Sequence, residues 1–224
     1  MDLLIVSATP FEIGPLKEYL DNQFIPFGNY RYQKGALTVS LLITGVGLPL
    51  AAYSLGRLFG QKRYDLAINA GVAGAFDRDL KTGEVVQVVT ERFGDLGVEE
   101  ADGRFIDIHQ LGLIEADQAP FTGGRLVNDA SSKFDFLPKV NGLSVNKVHG
   151  FPESITQIRE KYDAQVESME GAAFFYACLQ ENIPFLELRA ISNYVEARNR
   201  ENWNVRLAIQ QLNEVLSQIV KMFI

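Results

Sequence analysis

Apolar-rich runs of strand length alternate with helical stretches along this chain, and that alternation leaves few ways for it to fold. Residues 2–8, 37–44, 64–69 and 185–192 have the length and apolar content of buried strands. Helical patterns occupy residues 11–19, 48–59, 155–162 and 169–180. Residues 84–93 form a further β-rich stretch carrying Val85, Val86, Val88 and Val89. An amphipathic helix spans 201–222, with Leu207, Ile209, Leu212, Val215, Leu216, Ile219 and Val220 at near-helical spacing. Residues 94–124 are polar and glycine-rich and read as loops with a lid-like excursion. Strands separated by helices bury both faces of a sheet. The expected fold is α/β: a single three-layer domain over 1–224 with a central mixed, largely parallel sheet flanked by helices.

Composition removes several functions. A net charge of -7, with Lys and Arg scattered rather than striped, argues against a nucleic-acid partner. The first residues lack a basic segment before a strand-length apolar stretch, and no run of about 18 apolar residues exists to span a bilayer. A cytoplasmic protein without membrane contact is expected. Two histidines and one cysteine make a zinc site of usual composition a poor fit. Cys178, in an apolar helical run, reads as a buried small hydrophobe.

Two glycine segments follow strands, Gly45-Val46-Gly47 and Gly71-Val72-Ala73-Gly74. Each serves either a turn that needs permissive backbone angles or close backbone approach to a ligand. On the second reading Val72 and Gly74 are substrate contacts. Neither segment has the spacing of a dinucleotide fingerprint, and neither Walker A nor Gly-x-Ser-x-Gly occurs. No cofactor is expected.

Polar residues at strand ends carry the chemistry. Glu12 opens a helix after the first strand, and Glu170 opens another after Val166-Glu167-Ser168. Both also suit a helix N-terminus, where a carboxylate complements the macrodipole. Asn193 ends the strand at 185–192, where it is either a turn residue or a ligand group. Arg189, inside that apolar strand, needs buried partners and reads as a brace. Ligands collect at the carboxyl ends of strands in α/β sheets. A carboxylate there can grip a ribose diol, and a carboxamide can read a purine edge as donor and acceptor together. That combination points to a nucleoside.

The segments Ser7-Ala8-Thr9-Pro10-Phe11-Glu12, Thr44-Gly45-Val46-Gly47, Asn69-Ala70-Gly71-Val72-Ala73-Gly74-Ala75-Phe76, Glu91-Arg92-Phe93-Gly94-Asp95-Leu96-Gly97 and Val166-Glu167-Ser168-Met169-Glu170-Gly171-Ala172-Ala173 resemble the nucleoside phosphorylase/nucleosidase superfamily. Arg189-Ala190-Ile191-Ser192-Asn193-Tyr194-Val195-Glu196, followed by the stretch ending at Trp203, is most similar to the futalosine hydrolases of menaquinone biosynthesis. The resemblance implies that Glu12 activates water, that Met169 and Glu170 hold the ribose, and that Trp203 lies near the purine and the 5′ substituent. It places Phe151 near a purine-stacking aromatic and implies a homo-oligomer. Asn193 falls where the related methylthioadenosine/S-adenosylhomocysteine nucleosidases carry an aspartate. A carboxamide there matches hypoxanthine better than adenine, because its NH2 can donate to O6. The phosphate-binding arginine loop of phosphorylases is absent, and Glu12 stands in the corresponding stretch. Hydrolysis is therefore expected over phosphorolysis, with methylthioadenosine cleavage, inosine phosphorolysis and silent nucleoside binding as the rivals.

Overall fold

Strands apolar on both sides need cover on both faces, and β1 shows how the chain supplies it. Leu3 and Ile5 point to one layer and Leu4 and Val6 to the other, and all four are buried. The computed structural model describes residues 1–128 and 136–224. In chain order the elements are β1 (Asp2–Ser7), α1 (Gly14–Gln23), β2 (Ile25–Pro26), β3 (Arg31–Lys34), β4 (Leu37–Ile43), α2 (Leu48–Phe59) and β5 (Leu66–Ala75). There follow β6 (Val85–Glu91), β7 (Gly97–Glu99), β8 (Phe105–Asp107), β9 (Phe121–Thr122), β10 (Arg125–Val127), β11 (Lys139–Ser144) and α3 (Pro152–Lys161). The chain closes with β12 (Val166–Ser168), α4 (Gly171–Glu181), β13 (Phe185–Tyr194) and α5 (Val205–Lys221).

The sheet is mixed. β1 lies between β4 and β5, parallel to both. β5 then joins β13 in parallel and β12 antiparallel. β13 pairs antiparallel with β6, and β11 runs parallel to both β6 and β12. The five strands β5, β13, β6, β11 and β12 thus close a ring, and β7 with β8 forms a separate hairpin. α1 and α5 cover one face, packing Leu16, Leu20, Leu212 and Leu216 over Leu3, Ile5 and Ile68. α2 and α4 cover the other, with Leu55, Phe174 and Phe175 over Leu4, Val6 and Val88. Each such side chain, fully buried, stabilises the fold by about 1.5–3 kcal/mol. Cys178 is part of this second layer, and burial pushes its thiol well above the usual range.

Three expectations need correction. The third strand does not stop at Asn69; β5 runs on to Ala75 through both glycines. Side chains from β13 and from the loop after β1 fill the space those glycines leave, so the segment keeps its ladder instead of turning away. The first helix begins at Gly14 rather than Phe11, because Thr9 to Glu12 form a turn held by the Glu12 carboxylate. The 94–124 segment is not only loop: it contains β7, β8 and β9, and Ile108 and Phe121 are buried.

Candidate active site

The carboxyl ends of β1, β4, β5, β12 and β13 gather the polar residues, and the gathering starts at Glu12. Its Oε2 accepts hydrogen bonds from Ser7 Oγ at 3.1 Å, Thr9 N at 2.9 Å and Thr9 Oγ1 at 3.0 Å. Oε1 accepts from Val72 N at 3.3 Å. Four donors on one buried carboxylate are far more than helix capping needs. The backbone of Glu12 is held as well, since Asn213 Nδ2 on α5 donates to its carbonyl at 2.8 Å. A side chain at position 71 would collide with both neighbours: a Cβ on Gly71 would stand 3.0 Å from Glu12 Oε1 and closer still to Arg189 Nη1. Glycine at 71 is what leaves room for both the carboxylate and the guanidinium over β5.

Glu170 occupies the N-cap of α4 but does not cap it. Its Oε1 instead accepts from Gly47 N at 2.9 Å, across the gap to α2. Gly47 has φ of 104°, a left-handed value that glycine takes without strain and that turns its N–H toward the carboxylate. Arg189 Nη1 lies 3.7 Å from Glu170 Oε2, and its Nε donates to Glu187 Oε1 at 2.7 Å. Burial pushes the Glu170 carboxyl up, against the opposing pull of Arg189 and the Gly47 N–H. Burial alone would lower Arg189, but Glu187 and Glu170 outweigh it and hold the guanidinium above its ordinary value. Beneath this pair lies Glu91, fully buried, accepting from Ser144 Oγ at 2.9 Å. Burial and the neighbouring Glu187 charge push the Glu91 carboxyl well above the carboxylate range.

Asn193 lies where β13 bulges. Its register with β5 shifts between Ile191 and Asn193, so Asn193 sits opposite Gly74. The amide orientation is fixed by its neighbours: Tyr194 O can only accept, and Nδ2 donates to it at 2.9 Å. Oδ1 accepts from Ser192 Oγ at 2.7 Å. Each end of the amide keeps one further site, a lone pair on Oδ1 and a hydrogen on Nδ2. A Cβ on Gly74 would stand 3.2 Å from Nδ2, so this glycine too makes room for a site residue.

Asn193 and Trp203 line one narrow cleft together with Val148, His149, Glu167 and Arg198. Trp203 is half-buried, follows the 3-10 turn Arg200–Asn202 rather than opening α5, and has the Arg198 guanidinium 5.4 Å from its ring. Phe151 does not join them. It is 63% exposed at the start of α3, while His149, two residues earlier, lines the cleft. Met169 is half-buried beside Glu170, and Val72 is half-buried with its N–H on Glu12. The structure thus brings Glu12, Val72 and Gly71 to one point and Asn193, Gly74 and Trp203 to another, and β5 carries both. Sequence reasoning missed His149, Glu167, Asn213, Glu187 and Glu91. Glu187 and Asn213 had a signal, each being a polar residue within an otherwise apolar strand or helix face.

The phosphorylase superfamily model matches residues 2–224. A futalosine hydrolase from Streptomyces coelicolor is 31% identical over 185 residues, covering 80% of this chain and 77% of that protein. A 5'-methylthioadenosine/S-adenosylhomocysteine nucleosidase from Colwellia psychrerythraea is 28% identical over 96% of this chain and 92% of its own length. The native structure of Helicobacter pylori futalosine hydrolase superposes with a TM-score of 0.78, covering 99% of this chain and 98% of that one, at 17% identity. The chain belongs to the phosphorylase superfamily.

Proposed function

We propose that this protein is a futalosine hydrolase of menaquinone biosynthesis: it cleaves the N-glycosidic bond of futalosine with water, giving hypoxanthine and dehypoxanthine futalosine. The observation that carries the choice of base is Asn193, whose amide is held with Nδ2 as donor and Oδ1 as acceptor. That polarity suits a 6-oxopurine, where Nδ2 donates to O6 and Oδ1 accepts from a protonated N7. An adenine would set its amino donor against the amide NH2, and such a mismatch in a dry pocket costs about 1–3 kcal/mol.

In this reading Glu12 is the general base. Its four hydrogen bonds fix the carboxylate, and positioned proton transfer of this kind contributes about 10²–10⁴-fold. Water attacks C1′ from the face opposite the departing purine, through an oxocarbenium-like transition state. Glu170, facing the sugar with Met169, binds the two ribose hydroxyls and stabilises the growing positive charge. Arg189 holds Glu170 in place, and removing Glu170 leaves the buried guanidinium with Glu187 as its remaining carboxylate neighbour within salt-bridge distance among the described residues. Trp203 packs beside the base and the 5′ substituent. Val72 and Gly74 form the floor between sugar and purine. The reading includes a homo-oligomer, which rests on the resemblance in sequence, and a cytoplasmic location, which rests on composition.

The methylthioadenosine/S-adenosylhomocysteine nucleosidases are the nearest rival, since one of them matches almost as well. One experiment separates all the readings. The pure protein is incubated with futalosine, inosine and methylthioadenosine, with and without phosphate, and free base is assayed. Hypoxanthine from futalosine without phosphate is the expected result. Adenine release or a phosphate requirement would replace this proposal with one of its rivals.

A further inference from the structure

Asn193 leaves the chemistry of base departure incomplete. When the C1′–N9 bond breaks, its electron pair goes to the purine, which needs a proton, and a carboxamide has none to give in the neutral pH range. The same cleft holds a group that does. His149 lines it beside Asn193 and Trp203. Glu167 on β12, 3% exposed, accepts the backbone N–H of His149 at 3.0 Å through Oε1, and its Oε2 meets the ring Nδ1. The register explains the meeting: Gly74 on β5 is the pairing partner of both Glu167 on β12 and Asn193 on β13. One glycine therefore puts a carboxylate–imidazole pair and a carboxamide on the two sides of a single strand position.

A carboxylate that only accepts hydrogen bonds keeps the proton of His149 on Nδ1 and leaves Nε2 as the ring's other nitrogen. Nε2 makes no hydrogen bond among the described residues. With Glu167 holding Nδ1–H, a proton taken up from solvent adds at Nε2, and the carboxylate keeps the ring oriented as in hydrolytic triads. The other charged groups at the cleft are engaged elsewhere. Glu196 accepts from Arg78 at 2.8 Å and from Asn202 at 2.9 Å, and the Arg198 guanidinium lies against Trp203. Among the described residues, Glu167 is the charged group hydrogen-bonded to the ring.

We infer that His149, backed by Glu167, is the general acid that protonates the departing purine; this rests on the hydrolase reading above. The water oxygen bonds to C1′ as the C1′–N9 bond breaks. The proton on Nε2 passes to a ring nitrogen of the purine, and Glu12 takes a proton from the water. Afterwards His149 regains a proton from solvent and Glu12 returns one, so the site is restored with no other reactant. Asn193 orients the base, His149 protonates it and Glu167 is the positioning residue behind His149.

The test is the pH dependence of hypoxanthine release from futalosine by the wild type, His149→Gln and Glu167→Gln, each with its thermal midpoint measured to confirm folding. His149→Gln should lose at least about 10²-fold in kcat with KM changed only a few-fold. Its kcat should then climb about tenfold for each unit that the pH falls, because hydronium has become the only proton source. Over the same range, in which Glu12 must stay ionised to act as base, the wild type should instead level off. Glu167→Gln keeps a hydrogen-bonding side chain but not the charge, and should move the alkaline limb to lower pH. A uniform loss with the wild-type profile shape, a rise in KM alone, or no effect from either variant would each overturn the proposal and leave His149 a packing residue. A wild type that releases no hypoxanthine from futalosine overturns the hydrolase reading instead. The same pH comparison then decides the dyad on whichever nucleoside the protein does cleave.

Discussion

Asn213, near the middle of the last helix, holds Glu12 in place across a sequence separation of 201 residues: its Nδ2 donates to the Glu12 carbonyl at 2.8 Å and its Oδ1 accepts from Leu16 N at 2.9 Å. The contact ties the first strand-to-helix connection to α5 at the point where the carboxylate emerges. A second donation, to Ile209 O at 2.7 Å, keeps the amide from rotating. All of this is buried, so each group would lack water if the amide were lost.

Asn213→Leu should therefore lower both stability and rate. Leu16 N and the Glu12 carbonyl would be left unpaired, at about 1–3 kcal/mol for each. Glu12 would also lose its fixed backbone, so kcat should fall more than KM rises. Urea midpoints and steady-state kinetics measure the two effects separately. A variant of reduced stability but unchanged kcat would show that Asn213 holds the fold and not the base.

Glu12→Gln is expected to abolish hydrolysis while leaving nucleoside binding and the fold largely intact. Glutamine can keep part of the donor set from Ser7, Thr9 and Val72, but it cannot take a proton from water. Residual kcat above about a tenth of wild type would remove Glu12 from the role of base, because loss of a positioned base costs at least about 10²-fold.

What the sequence made legible, and what it hid, follows from the reach of its patterns. α2 is readable to the residue because its helical pattern fills the span between Gly47 and Gly60, and the continuous apolar run that defines β1 is likewise complete in itself. β5 was read too short because Gly71 and Gly74 look like a turn; their actual reason, the side chains of Arg189, Glu12 and Asn193, comes from distant parts of the chain. The two- and three-residue strands β2, β7 to β10 and β12 carry too few residues for any period to register. At the site, Glu12, Glu170 and Asn193 stood out because each ends a strand. His149 and Glu167 did not, since 18 residues and a whole helix separate them, and it is the parallel pairing of β11 with β12 that brings the loop after β11 to Glu167. The family resemblance points to Phe151 as the base-stacking aromatic, whereas the start of α3 turns that ring outward.

Glu170→Ala should weaken ribose binding and slow the reaction together. It removes the acceptor of the Gly47 N–H and leaves Arg189 with an unbalanced charge on that side. Comparing ribo and 2′-deoxy substrates isolates the diol contact: the wild type should discriminate and the variant should not. Equal handling of both sugars by the wild type would exclude Glu170 as the diol ligand.

The Glu91 carboxyl gives the fold a pH dependence of its own. Burial, with the Glu187 charge beside it, holds it protonated well above the unfolded value of about 4.3. A carboxyl whose folded-state value is raised contributes its full stability below the unfolded value. That contribution is lost as pH rises toward the folded value, because the unfolded chain releases the proton more easily. Glu91→Gln, a neutral side chain of the same shape, should keep the low-pH stability and flatten the decline at higher pH. Urea midpoints at about pH 5 and about pH 9 test this, and parallel changes in both proteins would mean that Glu91 is ionised in the folded state.

Asn193→Asp should move preference from 6-oxopurine toward 6-aminopurine nucleosides. Ser192 would still donate to one oxygen, but the atom facing Tyr194 O would change from a donor into a second acceptor, so the side chain would have to turn or hold a proton there. In either case the NH2 that suits O6 is gone. For hypoxanthine nucleosides that leaves O6 without a donor beside a negative charge, at about 1–3 kcal/mol, or roughly 5- to 150-fold in kcat/KM. For adenine nucleosides the carboxylate accepts from the exocyclic amine and, when protonated, donates to N7, so the barrier should fall. The quantity to measure is the ratio of the two kcat/KM values. An unchanged ratio would mean that Asn193 does not face the base, and the distinction between hypoxanthine and adenine would then have to come from the other polar side chains of the cleft, His149 first among them.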